Sequence, residues 1–121
     1  MNILICEDDA GLRGLWAEVF TQAGHAVVAV ADSKAARKAL MTGQFSVMIL
    51  DLYLGDDTGL SVATLAAYAS PECKIVITTG STLFPQGELF AMAPSVAAVL
   101  RKPVSNRELL AVAEHGLREA S

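Results

Sequence analysis

Polar residues stand where the apolar runs of this chain stop. Asn2-Ile3-Leu4-Ile5-Cys6 ends at Glu7-Asp8-Asp9. The uncharged run Phe45 to Leu50 ends on Asp51, Cys73 to Ile77 leads into Thr78, and Val96 to Leu100 is closed by Arg101-Lys102-Pro103. Taken singly, such acids cap helices, such a threonine turns the chain, and such a lysine is solvated. Taken together they form a chemical set of carboxylates, a hydroxyl and an amine. Three carboxylates brought close raise one another's pKa values. A divalent cation relieves that repulsion, and hard oxygen donors with retained water suit Mg²⁺, which is typically held by one or two carboxylates plus phosphate. Lys102 and Thr78 would then offer a positive charge and a hydroxyl donor to a second anion. Phosphoryl transfer demands such a combination. Asp51 is the candidate nucleophile, because a carboxylate can form an acyl phosphate.

The set converges only if the runs are parallel strands. Residues 2–6 read as a short buried strand. Over residues 10–23, Leu12, Leu15, Trp16, Val19 and Phe20 follow the spacing of one apolar helix face. Asp8 or Asp9 can cap that helix, and Gly24 suits its C-terminal end. His25 to Ala31 reads as a second strand. Asp32-Ser33 opens a second helix carrying Ala36, Ala39 and Leu40, which stops near Gly43. Phe45 to Leu50 is a strand buried on both faces, and Leu52 to Gly59 is a turn-rich loop. Leu60 to Ala69 is an alanine-rich helix with Thr58 as a candidate cap, stopped by Pro71. Cys73 to Thr78 and Val96 to Leu100 are further strands. Pro85, Gly87 and Pro94 leave room between them for only a short helix near Gln86–Met92. Ser105 with Glu108 forms a capping box for a last helix to about Glu119, with Leu109, Val112 and Leu117 inward. Five strand–helix alternations without long hairpin signals predict a parallel sheet covered on both faces. In such a sheet the polar residues share one rim, where ligands bind.

Composition narrows the partners. The 121 residues are 53% hydrophobic and 18% charged, enough to fold around one core as a single domain over 1–121. A net charge of −4 with no basic run argues against a direct nucleic-acid surface. No run approaches the ~20 apolar residues of a membrane span, and the N-terminus lacks a basic n-region. A reducing cytoplasm is expected, with Cys6 and Cys73 as buried free thiols. His25 and His115 have no second His or Cys at ligand spacing. Trp16 and Phe20 are expected in the core.

The chain resembles the response-regulator receiver domains of two-component signalling. The matching segments are Ile3 to Asp9, Val47 to Leu54 through Gly59-Leu60, Ile75 to Gly80, and Val99 to Pro103. They cover almost the whole chain, in the family's order. The resemblance implies a (βα)5 flavodoxin-like, doubly wound parallel α/β sheet of strand order 2-1-3-4-5. It implies Asp51 as phosphoacceptor, Asp8 as a direct Mg²⁺ ligand, Glu7 as a ligand through water, and the Tyr53 carbonyl as another. Thr78 would hydrogen-bond the phosphoryl group, and Lys102 would pair with acceptor or phosphoryl oxygens. Asp9 matches a more variable acid and is expected chiefly to cap the helix. The implied partner is a histidine kinase or histidine phosphotransfer protein. The implied output is a switched surface around the fourth helix and fifth strand. Such domains accept a phosphoryl group on themselves and are not turnover enzymes. Association into a homodimer through the last helices is left open.

This sequence departs from the family's pattern in places. Val99 stands where many receivers place a switching aromatic, Thr79 where a smaller residue is common, and Leu54-Gly55 replaces a frequent proline, which predicts a more mobile loop. Other classes fit less well. A degenerate receiver acting only as a binding module would not need Glu7, Asp8, Asp51, Thr78 and Lys102 together. A haloacid-dehalogenase-type phosphatase wants a second acid where Tyr53 stands. A flavodoxin-like nucleotide binder wants a phosphate-cradling loop where Glu7-Asp8-Asp9 would repel the ligand.

Overall fold

A computed structural model describes residues 1–54, 57–80 and 96–120, apart from the side chains of 57, 58 and 116–120. In order, the elements are β1 (Asn2–Cys6), α1 (Ala10–Gln22), β2 (Ala26–Val30), α2 (Ser33–Thr42), β3 (Val47–Asp51), β4 (Tyr53–Leu54), β5 (Asp57–Thr58), α3 (Gly59–Ala69), β6 (Lys74–Thr79), β7 (Val96–Arg101) and α4 (Asn106–Ala120). The five long strands form one sheet of order β2-β1-β3-β6-β7, and every pairing in it is parallel. Apart from the short β4–β5 pair, this is the expected 2-1-3-4-5 order. The short helix expected near Gln86–Met92 lies outside the described residues, as does the side chain of Leu117.

The period-2 alternation of the central strands builds two cores. Leu4, Cys6, Met48, Leu50, Ile75 and Ile77 point to one face and pack with Ala36 and Leu40 of α2 and Val62, Ala63 and Ala66 of α3. Ile3, Ile5, Val47, Ile49 and Val76 point to the other and pack with Trp16 and Phe20 of α1 and Leu109 and Ala113 of α4. All five residues of β3 are buried. That explains why its sequence is a continuous apolar run and not an alternating one. Both cysteines are buried free thiols, and burial pushes Cys6 up to about 12 and Cys73 to about 11.

The helix ends follow from local chemistry. Asp9 caps α1 by accepting from the Leu12 amide at 3.0 Å, and Gly24 just past α1 takes a φ of 95°. Asp32 caps α2 through the Ala35 amide at 2.8 Å. The Glu108 amide donates to Ser105 Oγ at 3.0 Å, half of the expected capping box.

Two expectations change. Leu15 does not join the core face of α1 and is 45% exposed. It lies about 100° around the helix from Trp16, so a stripe centred on Leu12, Trp16 and Phe20 leaves it at the edge. The described ends of the turn-rich loop after Asp51 also form paired backbone. Tyr53 pairs with Thr58 and Leu54 with Asp57 in an antiparallel ribbon. Leu52 and Leu54 are buried in the core under α2 and α3; Gly55, on which the expected mobility rests, lies outside the described residues. Boundaries otherwise shift by one or two residues. β3 starts at Val47 instead of Phe45 and extends to include Asp51.

Ile49→Ala should destabilise the fold by about 2–5 kcal/mol, whereas Leu15→Ala should change it by no more than about 0.5 kcal/mol. Urea denaturation of both variants measures this, and a comparable loss in Leu15→Ala would contradict the observed face of α1.

Candidate functional site

The polar rim forms at the carboxyl ends of β1, β3, β6 and β7. Strand register sets it. Cys6 pairs with Leu50, which puts Glu7 beside Asp51, and Asp51 pairs directly with Thr78. Between β6 and β7 the register slips. Ile75 pairs with Val96 but Val76 pairs with Ala98, so Ala97 is an extra residue on β7. This bulge brings Thr79 opposite Arg101, and the Lys102 amide then donates to the Thr79 carbonyl at 2.8 Å. A one-residue change of register reverses which face a side chain takes. The bulge is therefore part of what delivers Lys102 to the rim. The Lys102–Pro103 peptide bond is cis.

Glu7 is fully buried, Asp51 is buried, and Asp8 is exposed. Their carboxylate oxygens lie within 4.8 Å of one another. The Lys102 ammonium donates to Glu7 Oε1 at 2.6 Å and to Asp51 Oδ2 at 3.3 Å. The Tyr53 amide donates to Asp51 Oδ1 at 3.2 Å. The Thr78 hydroxyl is buried with no hydrogen-bond partner among the described residues. Such a group is costly to leave unmade and is a donor awaiting an acceptor. The expected site residues Glu7, Asp8, Asp51, Tyr53, Thr78 and Lys102 are thus all placed at one rim. Asp9 is turned to its capping role.

The electrostatics are unbalanced. Burial pushes Glu7 from an ordinary 4.5 up to about 7; Lys102 and the Asp9 amide oppose this, and the neighbouring Asp51 and Asp8 reinforce it. Burial pulls Lys102 down, yet its hydrogen bond to Glu7 and the charges of Asp51 and Glu7 outweigh that and leave it raised. One ammonium faces three carboxylates. All the donors are hard oxygens, one acid is exposed, and the charge deficit is that of a divalent cation. This donor set fits Mg²⁺.

Two contributors were not foreseen from sequence. Arg13 Nη1 donates to the Glu7 carbonyl at 2.9 Å and reaches the Asp8 carbonyl at 3.5 Å. It ties α1 to the backbone that carries the acids. An arginine five residues beyond an acid pair reads as a solvated helix charge, so no sequence signal marked it. The sequence reads Gly59 as the end of a loop, but it opens α3 and is buried. Its amide donates to the Leu52 carbonyl at 2.5 Å. A β-carbon there would collide with the Asp51 carbonyl and crowd the Leu50 side chain.

Residues 3–114 match the family model of the response regulator receiver domain. The chain belongs to this family. The receiver is 32% identical over 117 residues to the regulatory protein VirG of Agrobacterium fabrum, covering 97% of this chain and 46% of VirG. It is 30% identical over 112 residues to the response regulator receiver protein CpdR of Brucella abortus, covering 90% of each. The chain therefore spans under half of VirG but most of CpdR. Among solved structures, a CheY-like receiver domain from Methanospirillum hungatei superposes with a TM-score of 0.90 at 24% identity, over 98% of this chain and 94% of that one. The response regulator TrrA of Thermotoga maritima, solved in complex with Mg²⁺ and BeF, superposes at 0.79 with 20% identity, over 99% and 98%. Receivers are the phosphoacceptor modules of two-component signalling and are phosphorylated by histidine kinases, and the Glu7–Asp8–Asp51 cluster is typical of the family's Mg²⁺ site. No helix among the described residues is long and apolar enough to cross a membrane.

Two measurements follow from this geometry. Glu7 holds its proton more tightly folded than unfolded, so its contribution favours the fold below about pH 4.5 and is lost as pH rises to about 7. Metal-free stability, followed by denaturation across that window, should fall, and Glu7→Gln should flatten the fall. Gly59→Ala should destabilise the protein by about 1–3 kcal/mol and weaken Mg²⁺ binding in a titration. An unchanged variant would mean that α3 does not press on Asp51.

Proposed function

We propose that residues 1–121 act as one receiver domain that takes a phosphoryl group onto Asp51 from the phosphohistidine of a histidine kinase or histidine phosphotransfer protein. The observation that carries this reading is the pairing of Asp51 with Thr78, an unpartnered buried hydroxyl, under the Lys102 ammonium. An unused hydroxyl donor and an ammonium beside the acceptor carboxylate support the reading, because phosphoryl oxygens need such donors.

An Asp51 carboxylate oxygen attacks phosphorus in line. The P–N bond breaks, and the departing imidazole keeps its electron pair and later takes up a proton. Lys102 balances charge on the acceptor before the step and on the phosphoryl oxygens after it. The Thr78 hydroxyl gains its missing acceptor. The Tyr53 amide holds the other Asp51 oxygen and so fixes the attacking rotamer. Asp8, Asp51, Glu7 and the Tyr53 carbonyl would hold Mg²⁺, which would supply positive charge for the phosphoryl oxygens. Drawing Thr78 toward the phosphoryl group shifts the equilibrium between two arrangements of the surface around β7; the helix expected beside it lies outside the described residues. The domain is changed by the reaction and turns over no external substrate; the only group it hydrolyses is its own phosphoryl group. A cytoplasmic setting follows from such a donor.

Intact mass after incubation with Mg²⁺ and acetyl phosphate tests this. The expected result is a gain of one phosphoryl group that is lost in Asp51→Asn and on chelation of the metal. Thr78→Ala and Lys102→Met should take it up but fail to propagate amide shifts on addition of beryllofluoride. A protein that neither gains mass nor responds to beryllofluoride with Mg²⁺ would be a phosphorylation-independent binding module instead.

A further inference from the structure

Trp16 is the only tryptophan in the chain and is fully buried on α1, in the core face toward α4. The Lys102 ammonium stands over its indole ring, 6.0 Å from the centroid. The face of an indole carries the most negative quadrupole of the aromatic side chains and attracts a cation at this range. The indole N–H is buried too, with no acceptor among the described residues. Phenylalanine or leucine would fill this part of the core without stranding a donor. What tryptophan adds is the face presented to the ammonium.

We propose that Trp16 is a positioning residue for Lys102: its ring holds the ammonium over Asp51 when the carboxylates are otherwise engaged. This rests on the phosphoacceptor reading above. Lys102 is held through Glu7 and Asp51. Both belong to the acidic cluster that fits a divalent cation, and a bound cation weakens their pull on the lysine. The indole face is neutral and does not ligate Mg²⁺. It keeps its attraction in every charge state of the acids. It also makes no directional hydrogen bond, so the ammonium remains free to turn toward a phosphoryl oxygen. Arg13, on the same side of α1, holds the backbone of the acids. With Trp16 one turn further on, α1 steadies both the acids and the amine.

The test uses Trp16→Phe, Trp16→Leu, Lys102→Met and the Trp16→Leu/Lys102→Met double variant. Each is first checked for a cooperative unfolding transition. At saturating Mg²⁺, Trp16→Leu should slow phosphorylation of Asp51 by acetyl phosphate about three- to tenfold. Trp16→Phe should recover most of the rate. On the Lys102→Met background, Trp16→Leu should cost less than about twofold, because the partner is already gone. Equal slowing in both backgrounds, or identical rates for Trp16→Phe and Trp16→Leu, would overturn the proposal and leave Trp16 as packing only. A second readout needs no phosphoryl donor. Trp16 emission in metal-free wild type should differ from that of Lys102→Met, since a charge over the ring perturbs the indole, and an unchanged spectrum would overturn the contact. A wild type that takes up no phosphoryl group would instead overturn the phosphoacceptor reading, while the spectra still decide the contact.

Discussion

A lysine ammonium wedged between two carboxylates holds the rim of this sheet together. Glu7 has no access to solvent, and an isolated buried carboxylate is too costly to keep charged. Lys102 makes the arrangement tolerable at 2.6 Å, but it must also serve Asp51 at 3.3 Å, and Asp8 adds a third negative charge close by. Arg13 brings a second cation near and donates to the backbone carbonyls of Glu7 and Asp8. The cluster is therefore held short of neutrality by design of its fold. A site left in that condition binds a divalent cation and a charged oxygen ligand more readily than one whose charges are satisfied, and it forfeits some stability to do so.

Nothing at the rim would meet without the sheet's register. The two cores fix it from below. Alternate residues of β1, β3 and β6 are committed to opposite cores, so a one-residue slip of any of these strands would send each side chain into the core shaped for its neighbours. That commitment makes the Asp51–Thr78 pair and the Glu7–Asp51 juxtaposition reliable. β7 is the exception, and its bulge at Ala97 is the adjustment that lands Lys102 beside them. Gly59 contributes from the other side. By lacking a side chain it lets α3 begin against the Asp51 carbonyl, and Leu52 and Leu54 then pin the intervening ribbon into the core.

The parts of this architecture that were legible in the sequence are those written in side-chain type. The apolar runs gave the five strands, and the residues that end them marked the rim. Asp9, Asp32 and Ser105 are caps whose chemistry is local, and they sit as expected. What was not legible depends on tertiary geometry. Leu15 fits the helix period, but which way α1 rolls on the sheet is decided by Trp16 and Phe20, not by Leu15. The Tyr53–Thr58 pairing joins two-residue strands, too short to leave a periodic pattern. The extra residue on β7 changes no residue type. Arg13 looks like any exposed helix arginine until β1 ends within its reach. His25, unremarkable in sequence, meets Glu114 of the last helix at 2.8 Å across 89 residues of chain.

These constraints bear on how a change at Asp51 can leave the site. Val99 lies half-buried on the α2–α3 face and is paired with Ile77, one residue before Thr78. A valine has a single stiff χ1 and no ring. Its rotation displaces one methyl position and cannot fill a space the size of an aromatic side chain. If Thr78 moves toward a phosphoryl group, side-chain exchange at Val99 cannot carry the displacement far. The backbone offers a firmer route. The Thr78 carbonyl accepts from the Leu52 amide and the Thr79 carbonyl accepts from the Lys102 amide, at 2.9 and 2.8 Å. A shift of Thr78 therefore pulls at once on the ribbon after Asp51 and on the end of β7. The bulge at Ala97 is the point along β7 where pairing is already interrupted and least resists such a pull.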